Sequence, residues 1–136
     1  MELRARPLLP GSARGDVLRL ARPLSFWGGV DPRTGVVTDP GSDGHGVSLA
    51  DRVVLLAATR GSSSSSAILL ELIVAGRAPA ALVLAEIDAI LAVGILVARE
   101  LGRSTPPLLL LPAADQARLE TGIPVAVNAD GSIVTV

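Results

Sequence analysis

One stretch constrains the fold more than any other. The run from Arg52 to Ala58, Val-Val-Leu-Leu-Ala-Ala after the arginine, enters Gly61 and five consecutive serines, and an amphipathic segment leaves them at once. Continuous aliphatic residues with no polar alternation are the pattern of a strand buried on both faces. Ala67 to Ala75 then sets Ile68, Leu69, Leu72 and Ile73 on one helical face, with Gly76 as a C-terminal stop. By composition alone, Ser62 to Ser66 would read as a flexible linker. No spare residues flank it, so the sequence predicts a strand–turn–helix corner.

The pattern recurs downstream. Ala80 to Ala85 is a second buried strand, Asp88 can N-cap a helix running to Leu101, and Gly102 ends it. Leu108 to Leu111 is a third strand after the Pro106-Pro107 break, and Ala113 to Glu120 is expected as a short helix. The ends differ in character. Leu3 to Leu9 and Val17 to Ala21 are apolar segments punctuated by a turn at Pro10-Gly11-Ser12. Pro124 to Val127 and Ser132 to Val136 suggest a hairpin over Asn128-Ala129-Asp130-Gly131. Between them, Val36 to Thr38 is expected as a short strand and Asp39 to Ser48 as a mobile surface loop. Alternating strand and helix in the centre implies parallel pairing, whereas the termini look antiparallel. An α/β fold with β/β/α layers over residues 1–136, one domain, fits better than a doubly wound sheet.

Composition narrows the chemistry. The 136 residues are 49% hydrophobic, enough for one core. Twelve cations, all Arg, face thirteen acids for a net charge of -1, which speaks against a nucleic-acid footprint. The absence of Lys removes Schiff-base chemistry and a P-loop lysine. With no Cys and the single His45, this chain is expected to hold no metal itself, so any metal belongs to a partner. The most apolar stretch, Ala80 to Ala98, is interrupted by Glu86 and Asp88, and the N-terminus lacks the apolar run of a signal peptide. A cytoplasmic protein with no membrane or nucleic-acid partner is the expectation.

The serine corner carries the chemistry. The first N–H groups of a helix have no intrahelical partners and bear roughly half a positive charge from the aligned peptide dipoles. Small hydroxyls there leave room for a carboxylate or phosphate, and Gly61 permits its close approach. Such a setting also favours an ionised serine oxygen. Gly61, Ser63 and Ser64 are therefore candidate anion-binding positions, with Arg60 beside them.

These residues bring a family into view. The blocks Pro23-Leu24-Ser25-Phe26-Trp27-Gly28-Gly29-Val30-Asp31-Pro32, Thr34-Gly35, Ser48-Leu49-Ala50, Arg60 to Ser66 and Ala78-Pro79-Ala80 are similar to the small subunit of aconitase X enzymes, as is the stretch from Val83 through Glu86 to Ile90 and Gly94. The resemblance runs from about Leu3 to Val136. It implies a β/β/α swivelling domain that closes over a larger catalytic subunit bearing iron or an iron–sulfur cluster, in a cytoplasmic heterodimer. In the wider aconitase superfamily the corner reads Gly-Ser-Ser-Arg-Glu-His, and its first serine abstracts the substrate proton. That serine falls on Ser62. Ser64 and Ser66 stand where the superfamily has Arg and His, so Arg60 or arginines of the partner must hold the substrate anion. The family's reactions are dehydrations of cis-3-hydroxy-L-proline and of mevalonate 5-phosphate, and the resemblance implies a hydro-lyase subunit inactive without its partner.

Other residues are weighed against structural roles. Phe26 and Trp27 either plug the core or form an interface, and Gly28-Gly29 marks a close backbone approach. Asp31 before Pro32 reads as a turn former, and His45 as a surface residue. Glu86 and Asp88 could line a cleft, though capping accounts for Asp88. Two other readings compete: a non-enzymatic module that presents a bound anion to a partner, and a mononucleotide-binding domain. The second lacks a G-x-G-x-x-G or Walker pattern after the first central strand.

Overall fold

The three all-aliphatic runs become adjacent parallel strands in the computed structural model, which describes residues 1–60 and 63–136. In chain order the elements are β1 (Glu2–Arg4), β2 (Arg6–Leu9), β3 (Ala13–Leu20), α1 (Phe26–Gly29), β4 (Val53–Leu56), α2 (Ser65–Val74), β5 (Ala81–Leu84), α3 (Ala89–Glu100), β6 (Leu108–Leu110), α4 (Ala113–Gln116), β7 (Pro124–Val127) and β8 (Ser132–Thr135). Parallel registers align Val17 with Val53, Val53 with Ala81, and Leu82 with Leu108. Every residue of β4 and β5 is buried. Strand side chains alternate between faces, so a strand covered on both sides must be apolar throughout. Val54, Leu56, Leu82 and Leu84 pack under α2 and α3 against Leu69, Leu72, Leu91 and Ile95. Val53, Leu55, Ala81 and Val83 pack on the other side against Leu3, Val125, Val127 and Ile133. The β/β/α layering follows from these two cores.

The strand order is β1-β8-β7-β3-β4-β5-β6-β2. β3 belongs to both β layers: Ala13 to Asp16 pair antiparallel with β7, and Val17 to Leu20 pair parallel with β4. β1 and β2 lie at opposite ends of this order, yet only Ala5 separates them. Eight flat strands would set their edges roughly 33 Å apart, given a spacing of about 4.8 Å. One residue reaches about 3.6 Å. The ribbon must therefore curl until its edges meet. At the meeting point the Ala5 N–H donates to the Gly131 carbonyl at 2.9 Å. A side chain at Gly131 would run into the Ala5 carbonyl and the Pro7 ring.

Several expectations shift. The apolar segment Leu3 to Leu9, read as one piece, splits at Ala5: its first half pairs with β8 and its second with β6. Val36 to Thr38 makes only isolated bridges, Val37 to Val30 and Val36 to Ser48, because the chain turns away on both sides. The helix expected over Ala113 to Glu120 stops at Gln116. The loop expected to be mobile is tied down: Asp43 accepts the Ala21 and Arg22 N–H groups at 2.8 and 3.4 Å, and Ser42 is buried. Both long helices end as the sequence predicts. Gly76 and Gly102 take positive φ, and the next N–H reaches back to Leu72 and Ala98 respectively. Among the described residues, no helix is long and apolar enough to cross a membrane.

Candidate functional site

The serine corner lies beyond the C-terminal ends of the parallel strands, where open α/β sheets place their ligands. After Leu56 the chain stays extended. Ala57 N–H donates to Leu20 O at 3.2 Å, Leu24 N–H to Ala58 O at 3.2 Å, and Arg60 N–H to Leu24 O at 3.0 Å. Thr59 pairs in parallel fashion with Leu24. The expected base Ser62 and its neighbour Gly61 lie outside the described residues. Beyond them, Ser63 is exposed and Ser64 half-buried, and α2 starts at Ser65.

The described serines of the corner have different partners. Ser64 holds the N-cap position, but its side chain makes no capping bond to the helix. Its carbonyl accepts the Ala67 and Ile68 N–H groups at 3.1 and 3.3 Å. Ser66 turns its hydroxyl back to the Ser63 carbonyl at 2.9 Å. Ser65 is buried, and its Oγ accepts the Trp27 N–H at 3.4 Å. The N-terminal turn of α2 thus abuts the Phe26–Gly29 segment.

That segment separates the two aromatics. Phe26 is 1% exposed and belongs to the core, whereas Trp27 is 58% exposed beside the corner. The reversal arises because the backbone leaves helical geometry at Trp27 and takes positive φ at Gly28. Gly28 opens to empty space, while a side chain at Gly29 would press on Leu24 and Asp39. Trp27, not Phe26, is the surface candidate.

On the other flank, Asp88 does two things at once. Its Oδ1 caps α3 by accepting the Ile90 and Leu91 N–H groups at 3.0 and 3.2 Å. Its Oδ2 accepts the Thr59 hydroxyl at 2.7 Å. Just before it, Glu86 and Ile87 are exposed, Ile87 at 66%. Arg60 is exposed and makes no ion pair among the described residues. The two helices meet close to the corner: a Cβ on Gly94 would sit 2.7 Å from the Ser66 carbonyl oxygen.

Sequence reasoning passed over three contributors. Thr59 follows a buried strand with nothing to mark its partner. Ser65 is one serine among five. Gln116 is 1% exposed, and its amide donates to the carbonyls of Leu56, Val83 and Leu111 at 3.2, 3.4 and 3.1 Å, tying the ends of the strands together. Asp31 and His45 fall as read: Asp31 accepts the Arg33 N–H at 2.8 Å in a turn, and His45 is exposed. Asp130, at the far end of β3, is held below the usual carboxylate range by the Ser132 N–H first, then by the Ser132 hydroxyl and Arg4.

No three His, Cys, Asp or Glu side chains converge among the described residues to hold a metal. The sequence has no Cys and one His, so it supplies no thiolate of the kind that holds an iron–sulfur cluster.

Known proteins share this arrangement. The aconitase X swivel domain family matches residues 2–136. The chain belongs to that family. It is 36% identical over 136 residues to the phosphomevalonate dehydratase small subunit of Thermococcus gammatolerans, covering 100% of this chain and 98% of that one. It is 48% identical over 124 residues to the cis-3-hydroxy-L-proline dehydratase of Pseudomonas aeruginosa, covering 86% of this chain but only 21% of that protein. The swivel domain also superposes on the crystal structure of Thermococcus kodakaraensis aconitase X in its holo-form with a TM-score of 0.87 and 34% identity, covering 100% of this chain and 98% of the other.

Proposed function

We propose that this swivel domain is the small subunit of an aconitase X-type hydro-lyase that dehydrates a β-hydroxy acid, with cis-3-hydroxy-L-proline as the substrate. The observation that carries the reading is the corner itself: a run of serines leads from the end of a buried parallel strand into the start of α2, with the exposed Arg60 beside it. The 48% identity to a hydroxyproline dehydratase supports the substrate.

In this reading Ser62, as the alkoxide, takes the proton from the carbon next to the carboxylate. The C–H electron pair forms the new double bond, the C–O bond at the adjacent carbon breaks, and the oxygen leaves as water after gaining a proton. Backbone N–H groups at the start of α2 stabilise the charge on the alkoxide and on the developing enolate. Arg60 holds the substrate carboxylate, with Ser63, Ser64 and Gly61 around it. A larger partner chain supplies the group that draws off the hydroxyl, and an iron or iron–sulfur centre there would act as Lewis acid.

The test is reconstitution with the larger chain. Ser62→Ala should lower kcat by about 10²- to 10⁴-fold, the usual worth of a positioned base. Near-normal turnover would refute the assignment. A second reading, mevalonate 5-phosphate as substrate, is favoured by the full-length match to an archaeal small subunit; assaying both acids side by side decides between them. Stoichiometric anion binding that survives Ser62→Ala, with no dehydration of either acid, would instead support the non-enzymatic module.

A further inference from the structure

We propose that Thr59 and Asp88 form a positioning pair that fixes the serine corner for proton abstraction; the inference rests on the reading of Ser62 as the base. The corner is a short span whose far end is held by Ser65, through the Trp27 N–H. Its near end, Thr59 and Arg60, is paired along the backbone with Leu24. Nothing in that pairing controls the opposite side, where β5 gives way to α3. There the Thr59 hydroxyl reaches Asp88 at 2.7 Å, a short charge-assisted bond.

The residue types fit this task more closely than they fit capping alone. Serine would cap α3 about as well as aspartate does. Only a side chain with two terminal polar atoms can cap the helix with one and hold the strand exit with the other. Asp88 divides its oxygens in that way: Oδ1 goes to Ile90 and Leu91, Oδ2 to Thr59. The position of the chain three residues before Ser62 is therefore referred to the start of α3, which is in turn fixed against α2 where Gly94 meets the Ser66 carbonyl. A base displaced by about 1 Å can lose on the order of 10²-fold in rate.

The experiment uses the complex with the larger chain, turning over cis-3-hydroxy-L-proline. Thr59→Val keeps the shape and deletes the hydroxyl. It should lower kcat about 10- to 100-fold while KM stays within about twofold, and Thr59→Ser should restore most of the rate. Asp88→Ser, which caps α3 but cannot reach Thr59, should match Thr59→Val. The double variant should be no worse than either single one, since both remove one bond. An unchanged kcat in Thr59→Val overturns the proposal, and so does a loss that Thr59→Ser does not repair. Ser62→Ala run alongside separates the two readings. If it abolishes turnover while Thr59→Val is neutral, only the positioning pair fails. If it keeps turnover, the base assignment fails, and the pair's role in positioning that base falls with it.

Discussion

Two helices begin side by side at the same end of the sheet, and they begin differently. α3 is closed by its own chain, because the Asp88 carboxylate occupies the N–H groups that would otherwise attract an anion. α2 is not closed in this way; its N-cap residue is a serine whose side chain makes no capping bond. Equal dipoles thus serve unequal purposes. In the proposed function the start of α3 is scaffold, and the start of α2 is the surface that receives a charged ligand. The two starts are also in contact: Thr59 bonds to the Asp88 carboxylate, and Gly94 packs against the Ser66 carbonyl.

Widening the contact between the helices should have the largest effect on stability. Gly94→Val would drive a branched side chain against the Ser66 backbone, and overpacking of this kind costs about 1–3 kcal/mol. Urea denaturation should show a lower midpoint with an unchanged slope; an unchanged midpoint would mean that the helices are not held at this point. Next comes Asp88→Ala, which removes a cap and should cost about 0.5–2 kcal/mol. Ser63→Ala, at the exposed approach to α2, should stay within about 0.5 kcal/mol of the parent. If Ser63→Ala proved as costly as Asp88→Ala, the distinction between a braced and an open helix start would collapse.

The smallest effect is a control remote from both helix starts. The lowered pKa of Asp130 means that its charged form is favoured by folding, so its contribution is present above the unfolded carboxylate pKa and lost as pH falls through the lower native value. Melting temperatures of the parent and Asp130→Asn should differ slightly at neutral pH and converge in acid, with no change in turnover.

Much of the architecture was legible because burial on both faces leaves a plain signature. β4, β5 and β6 are runs without a polar residue, and the helices between them end at glycines that adopt the expected left-handed turn. The Asp88 cap was legible for the same reason: local geometry demanded an acceptor there. What could not be read was long-range pairing. Nothing in Leu3 to Leu9 announces that its halves go to opposite edges, since both carry the same kind of apolar residue and the partners lie far along the chain. Thr59 and Gln116 were invisible for a related reason. A single polar residue does not reveal which distant carboxylate or carbonyls it will meet. The part assigned to Ser62 came from family likeness, not from any spacing that physics would require.

The one-residue crossing at Ala5 bears on how the molecule assembles. β1 is completed by β8 and β2 by β6, so the segment from Glu2 to Leu9 has no strand partner until residues far along the chain, Leu108 to Leu110 and Ser132 to Val134, are in place. Contacts this distant in sequence slow folding, because the intervening chain must be ordered first. The segment from Glu2 to Leu9 should therefore be the last to dock and the first to exchange amide protons, a clasp fastened only after the barrel-like body has formed.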